Sequence, residues 1–262
     1  MLEIIDLNVR YGRREILRGV RLKIDSEKIV VLGPNGSGKT TLIKSILSLI
    51  PYSGKVFIDG VEVRRIRGYI GISTNIAEVY GLGYLVRDLL QLYSRIKGVD
   101  RDLALDMLDR LGIRDRVLDK PLSRLSAGEN LMVRNVLALA SLPKIYVIDE
   151  PFENIDMARR GIIARWFAEY ASEGILVTHE LSMLREKSFQ DFKVYFLIAG
   201  KLHGPIEVRD LAELCVVEGA RSDAVLVINE GGYAVSLIRS GDSCDTKLYM
   251  VGSVNKLYGV SL

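Results

Sequence analysis

Residues 33 to 40 read Gly33-Pro34-Asn35-Gly36-Ser37-Gly38-Lys39-Thr40 and match the pattern GxxxxGK[ST]. The apolar run Ile29 to Leu32 comes immediately before. Leu42, Ile43, Ile46, Leu47 and Ile50 follow at helical spacing and stop before Pro51. Strand, loop, helix is the order that a phosphate-binding loop needs. Its glycines let the backbone curl so that successive N–H groups point inward at phosphate oxygens, and the helix adds its positive N-terminal end. Lys39 supplies a cation for β and γ phosphates, and Thr40 a hydroxyl for Mg²⁺.

A phosphate loop requires a second strand that carries a carboxylate for the metal. Ile145-Tyr146-Val147-Ile148-Asp149-Glu150 supplies one, four apolar residues ending in two acids. At the carboxyl edge of a parallel sheet Asp149 is placed to hold the Mg²⁺ shell, and Glu150 to polarise an attacking water as general base. Short apolar strands recur elsewhere, at Leu2 to Val9, Val20 to Ile24, Gly54 to Gly60, Tyr69 to Ile72, Ile175 to Val177 and Tyr195 to Ile198. Between them the stripe Leu85, Leu89, Leu92, Tyr93, Ile96 closes at Gly98, and Leu103, Met107, Leu108, Leu111 at Gly112. A third helix is predicted from Ser126 and a fourth from Arg159 to Ala171. The alternation predicts an α/β core with a mostly parallel sheet, interrupted by a helical insert. Past Gly204, Ala224 to Ile228, the Gly231-Gly232 turn and Tyr233 to Ile238 read as a β-hairpin.

Composition narrows the class further. The chain has 262 residues, 48% hydrophobic and 26% charged, which fits one large folded domain with a small remainder and excludes a disordered or collagenous chain. No apolar run approaches the roughly 18 residues of a membrane span. The segment Met1 to Val9 has Glu3 and Asp6 where a secretion signal needs basic residues, so secretion is not expected. A net charge of +3, without any block of like charges, gives no electrostatic footprint for direct nucleic-acid binding. Cys215 and Cys244 lie far apart, and the only histidines are His179 and His203. Neither a disulfide framework nor a zinc cluster is expected, and a reducing cytosol fits.

These motifs, in this order over roughly residues 2 to 205, resemble the ATP-binding cassette (ABC) ATPases. The family's signature, usually Leu-Ser-Gly-Gly-Gln, appears as Leu125-Ser126-Ala127-Gly128-Glu129, twenty residues before Asp149. Ser126 with Glu129 is also a helix capping box, and both readings hold together, because an open helix N-terminus is an anion site. The resemblance implies a P-loop NTPase fold with a RecA-like core, an N-terminal antiparallel β region and an α-helical subdomain inserted at about 75–128; the small β-rich C-terminal appendage beyond it matches no pattern of the family. The cassette would occupy residues 1–204 and the appendage 205–262.

The resemblance further implies ATP and Mg²⁺ as ligands. ATP would be held by residues 33 to 40 together with Thr41, with Tyr11 stacking on adenine. Lys39, Glu150 and His179 would be catalytic, and Thr40, Asn75 and Asp149 would hold Mg²⁺. Ser126, Ala127, Gly128 and Glu129 would meet ATP bound to an opposite subunit, and Asp156 would be the aspartate of the D-loop. Three departures stand out: Asn75 where the family has glutamine, Ala127 for the first signature glycine, and Asn130, Leu131 and Met132 where basic residues are usual. The function implied is that of an ATP-hydrolysing subunit, peripheral on the cytoplasmic face of the cell membrane. It would dimerise with a second ABC ATPase subunit and drive a separate transmembrane permease. The alternatives are a soluble non-transport ABC ATPase, such as an iron–sulfur assembly partner, and a low-turnover nucleotide-dependent regulatory module.

Overall fold

The structure, a computed structural model, describes residues 1–81, 85–230, 233–239 and 246–248. The chain divides into two compact units, Met1–Ile66 with Val177–Leu262, and Arg67–Leu176.

The first unit opens with β1 (Leu2–Tyr11) and β2 (Arg14–Ile24), antiparallel from Leu2↔Ile24 to Tyr11↔Arg14. Alternation explains why both form strands. Leu17, Val20, Leu22 and Ile24 of β2 are buried, while Arg18, Arg21 and Lys23 between them face water. Next, β3 (Lys28–Leu32) is buried at every position after Lys28, as a strand covered on both faces must be. The phosphate loop leads into α1 (Lys39–Ile46), which buries Leu42, Ile43 and Ile46. Ser48, at φ +55°, then stops a helix that sequence spacing carries on to Ile50. β4 (Ser53–Ile58) pairs with β1, and β5 (Val61–Glu62) with β4 across Asp59-Gly60, at φ +50° and +79°. Two consecutive positive φ angles define the tight hairpin turn that Asp-Gly favours.

In the second unit β6 (Ile72–Thr74) lies where a strand was expected over Tyr69 to Ile72; residues 69–71 are irregular. α2 (Val86–Lys97) ends at Gly98, whose φ of +74° suits a glycine. α3 (Arg101–Arg110) is capped by the Asp100 carboxylate, which accepts from the N–H of Asp102 and Leu103. The short α4 (Arg114–Val117) precedes α5 (Ala127–Ala140), whose last two turns are buried all round. β7 (Ile145–Asp149) runs parallel to β6 in the register Ile72↔Ile145 to Thr74↔Val147. Its four leading side chains are fully buried, each stabilising by about 1.5–3 kcal/mol. α6 (Met157–Glu169) follows, then β8 (Glu173–Thr178), within which the chain returns to the first unit.

There β9 (Lys193–Ile198) is parallel to β3, and β10 (Lys201–Glu207) is antiparallel to β9. β11 (Leu214–Glu218), β12 (Leu226–Glu230) and β13 (Tyr233–Arg239) form an antiparallel sheet in the order β11-β13-β12. The expected hairpin is therefore present, although its Gly231-Gly232 turn lies outside the described residues. Although no disulfide framework was expected, Cys215 on β11 is buried and disulfide-bonded. Beside it the Val216 N–H donates to the Thr246 carbonyl at 2.9 Å, and Leu248 is fully buried. Among the described residues no helix is long and apolar enough to cross a membrane.

Candidate functional site

Chemistry-bearing residues fall in both units. In the first, the phosphate loop has the conformation its sequence demands. Gly36 and Gly38 sit at φ +79° and +103°, where a side chain would be strained. A methyl group on Gly33 would lie 2.5 Å from Ser37 Oγ and 2.6 Å from the Leu197 carbonyl oxygen, so backbone closeness excludes any larger residue. Gly38 begins α1 without a side-chain cap, and no acid stands in the first turn. The N–H groups at that end therefore meet no competing carboxylate from the helix itself. Lys39 is 6% exposed, and its ammonium donates to the Gly33 and Pro34 carbonyls at 2.9 and 3.1 Å. Thr40 is exposed and Thr41 half-buried.

Ser37 Oγ is buried and has no hydrogen-bond partner among the described residues. Ser37 and Gly36 border a cavity of about 550 Å³ whose rim carries Arg10, Arg13, Arg14 and Arg18. Four guanidinium groups beside a loop built to receive phosphate make this an anion-attracting mouth. Sequence reading missed it, although the Arg10 to Arg18 stretch has four arginines in nine residues. Tyr11, in the same hairpin, is 52% exposed. The Gly33 N–H donates to the Thr178 carbonyl at 3.2 Å, which brings the residue after it, the half-buried His179, to the start of the loop.

In the second unit β7 delivers Asp149 and Glu150, both half-buried. Glu150 has φ +41°, a left-handed backbone uncommon for a residue with a side chain. Asn75, expected among the Mg²⁺ ligands, is hydrogen-bonded to Asp149 and Asn135. It is fully buried; its Oδ1 accepts from the Asp149 N–H at 2.8 Å and its Nδ2 donates to the Asp149 carbonyl at 2.9 Å. The same Nδ2 donates to Asn135 Oδ1 at 2.9 Å. The side chain acts as one more peptide of the β6–β7 ladder, which leaves its amide directed at main chain and away from solvent.

The signature forms the capping box that its sequence permits. Ser126 Oγ accepts from the Glu129 N–H at 3.2 Å, and Glu129 Oε2 accepts from the Ser126 N–H at 3.2 Å and its hydroxyl at 3.0 Å. The Ser126 main-chain N–H holds the Glu129 carboxyl below the usual range. Ser126 and Ala127 are exposed, and Gly128 is buried against Asn154. Asp156 caps α6 by accepting from the Arg159 N–H at 3.1 Å, and the Arg159 guanidinium lowers its pKa.

Of the residues expected at the metal, Thr40 in the first unit carries a hydroxyl and Asp149 in the second a carboxylate, each a hard oxygen donor. Among the described residues no group of three or more His, Cys, Asp or Glu is clustered for a metal. Hard oxygen donors of this kind suit Mg²⁺, which takes one or two protein oxygens and completes its shell with phosphate and water. The curled loop, its open helix N-terminus and the buried, unpartnered Ser37 hydroxyl fit a nucleotide phosphate.

Comparison with known proteins agrees. The family model for ABC transporters matches residues 17–153. The manganese transport system ATP-binding protein MntB of Bacillus subtilis is 32% identical over 68% of this chain and 76% of its own length. The L-cystine import ATP-binding protein TcyC of the same organism is 29% identical, over 71% and 83%. A crystal structure provisionally named as a cobalt transport ATP-binding protein, cbiO-2, is 46% identical over 99% of both chains, with a TM-score of 0.92. Motifs, fold and relatives agree that the chain belongs to the ABC transporter family, as an ATP-binding and ATP-hydrolysing subunit.

Proposed function

We propose that the chain is the motor of a transporter whose permease is a separate membrane-spanning protein, and that two cassettes close over ATP to drive it. The likeness to the cobalt-transport cassette over 99% of both chains, appendage included, is the observation that carries this reading. MntB and TcyC, both named for transport, support it. The chain would then sit peripherally on the cytoplasmic face of the membrane.

The residues divide the work as follows. Tyr11 stacks on adenine, and the N–H groups of Gly36 to Thr40 bind phosphate oxygens. Lys39 exchanges its bonds to the Gly33 and Pro34 carbonyls for the β and γ phosphates. Thr40 and Asp149 are the residues that would hold Mg²⁺, which would neutralise charge on the phosphates. Glu150 takes a proton from water as its oxygen attacks the γ-phosphorus; the bond to the β–γ bridging oxygen breaks, releasing ADP and phosphate. His179 contacts the γ-phosphate. Ser126 and Gly128 of each subunit meet the ATP of the other, so the γ-phosphate binds the closed dimer better than the open one, and its loss reopens the pair.

Purification from detergent-solubilised native membranes tests the partner. Recovery of a multi-spanning protein that stimulates ATP turnover supports transport. A purely soluble assembly, with ATP-dependent dimers but no membrane protein, supports the soluble alternative instead.

A further inference from the structure

From the amides around Asp149 and Pro151 we infer that Asn75 and Asn135 are a pair of positioning residues that aim the Glu150 carboxylate. Asn75 holds both main-chain groups of Asp149, and Asn135 Nδ2 donates to the Pro151 carbonyl at 2.9 Å. The two side chains are bonded to each other at 2.9 Å. Glu150, the residue between the two anchored positions, is the one with left-handed backbone. A strained conformation persists only where its surroundings over-determine it, and here both flanking residues are tied to one buried amide bridge. Only one orientation of each amide satisfies all four bonds, because the Asp149 N–H must meet an oxygen and the Pro151 carbonyl an N–H.

The bridge also has a direction. Asn135 lies on α5, the helix that starts at Ser126, and the neighbouring Arg134 donates from Nη1 to the Asn75 carbonyl. Asn75 and Asn135 are both 0% exposed, and Asn135 is a polar residue inside the buried stretch of α5. A buried polar pair that is fully satisfied rigidifies its neighbourhood, and one that is broken leaves main-chain groups of Asp149 or Pro151 without partners. Displacement of the signature helix is thereby felt at the peptide bonds on either side of the general base.

This inference rests on Glu150 being that base, and its test separates the two claims. Asn135→Leu keeps the volume and removes both amide bonds; Asn75→Ala removes the bridge from the other side. For each, kcat is expected to fall by about tenfold to a hundredfold. KM and ATP affinity should stay within about twofold, since nothing in the phosphate loop is touched. In the Glu150→Gln background the same substitutions should leave the residual turnover unchanged, because the group they position is already disabled. Unchanged kcat in the single variants, or an equal further loss in the Glu150→Gln background, overturns the positioning role. Full turnover of Glu150→Gln alone instead overturns the base assignment. If Asn135→Leu does not fold, the isosteric Asn135→Asp, which removes the donor to Pro151, is measured in its place under the same criteria.

Discussion

Gly128 faces the main chain of Asn154 so closely that a methyl group on its α-carbon would come 2.4 Å from the Asn154 carbonyl oxygen. A backbone carbonyl cannot swing aside as a side chain does. Gly128→Ala must therefore displace the first turn of α5, at a cost of about 1–3 kcal/mol. The expected outcome is a lower urea midpoint together with lost ATP turnover. Gly161→Ala in α6 is the control: a methyl there meets nothing within 4 Å, so stability should rise by about 0.5–1 kcal/mol.

Lys39→Ala removes both the charge for phosphate and the two bonds to the Gly33 and Pro34 carbonyls. A charge-assisted bond contributes about 1.5–3 kcal/mol, so ATP affinity should drop about ten- to a hundredfold in titration with a fluorescent analogue. An unaltered affinity would remove Lys39 from the site.

Glu150→Gln keeps shape and hydrogen bonding but cannot take a proton. Turnover should fall by about 10²–10⁴ while ATP still binds, and ATP-bound dimers should accumulate in gel filtration. Wild-type rates in this variant would point to another base.

Stability should depend on pH through Lys97, in the last turn of α2. Its ammonium donates to the carbonyls of Ile70, at 2.6 Å, and Ile72, and burial pushes its pKa down to about 8 from the ordinary 10.5. Between about 8 and 10.5 the unfolded chain binds more protons than the folded one, so stability rises with pH across that window. Below it the lysine is charged in both states and adds no slope. At about 1.36 kcal/mol per unit, reduced because the group still meets water, the gain is about 1–2 kcal/mol. Urea midpoints measured on both sides of the window should differ by this amount between wild type and Lys97→Met.

Reduction opens the disulfide of Cys215. Its one possible partner within the chain is Cys244, the only other cysteine. Loss of the cross-link should destabilise the appendage by about 2–4 kcal/mol, seen as an earlier thermal transition with ATP affinity unchanged. Identical melting with and without reductant would deny the disulfide any part in stability.

The phosphate loop, the acids after β7 and the helices α2, α3 and α5 were legible in sequence, because each is written in local chemistry: glycine spacing, apolar period, Ser126 capping Glu129. What was not legible depends on contacts between residues distant in sequence. The family resemblance makes Asn75 a metal ligand, and only the fold reveals that Asp149 and Asn135 take up its amide. Asn135 left one trace, a polar residue in an apolar stretch, too slight to assign a partner. The Cys215 disulfide was not legible either, because Cys215 belongs to no cysteine motif. β6 was placed early because Tyr69 and Ile70 are apolar enough to imitate a strand, whereas the ladder with β7 begins at Ile72.

With Glu150 as the proposed base, its left-handed backbone puts the needs of the fold and of the reaction in opposition. Glycine or asparagine would occupy that φ more comfortably, by about 1 kcal/mol for a residue relieved of its Cβ contacts. A library selected for folding alone would drift away from glutamate at this position, and one selected for turnover would keep it. Position 150 is thus where the chain's history of use can be separated from its history of folding.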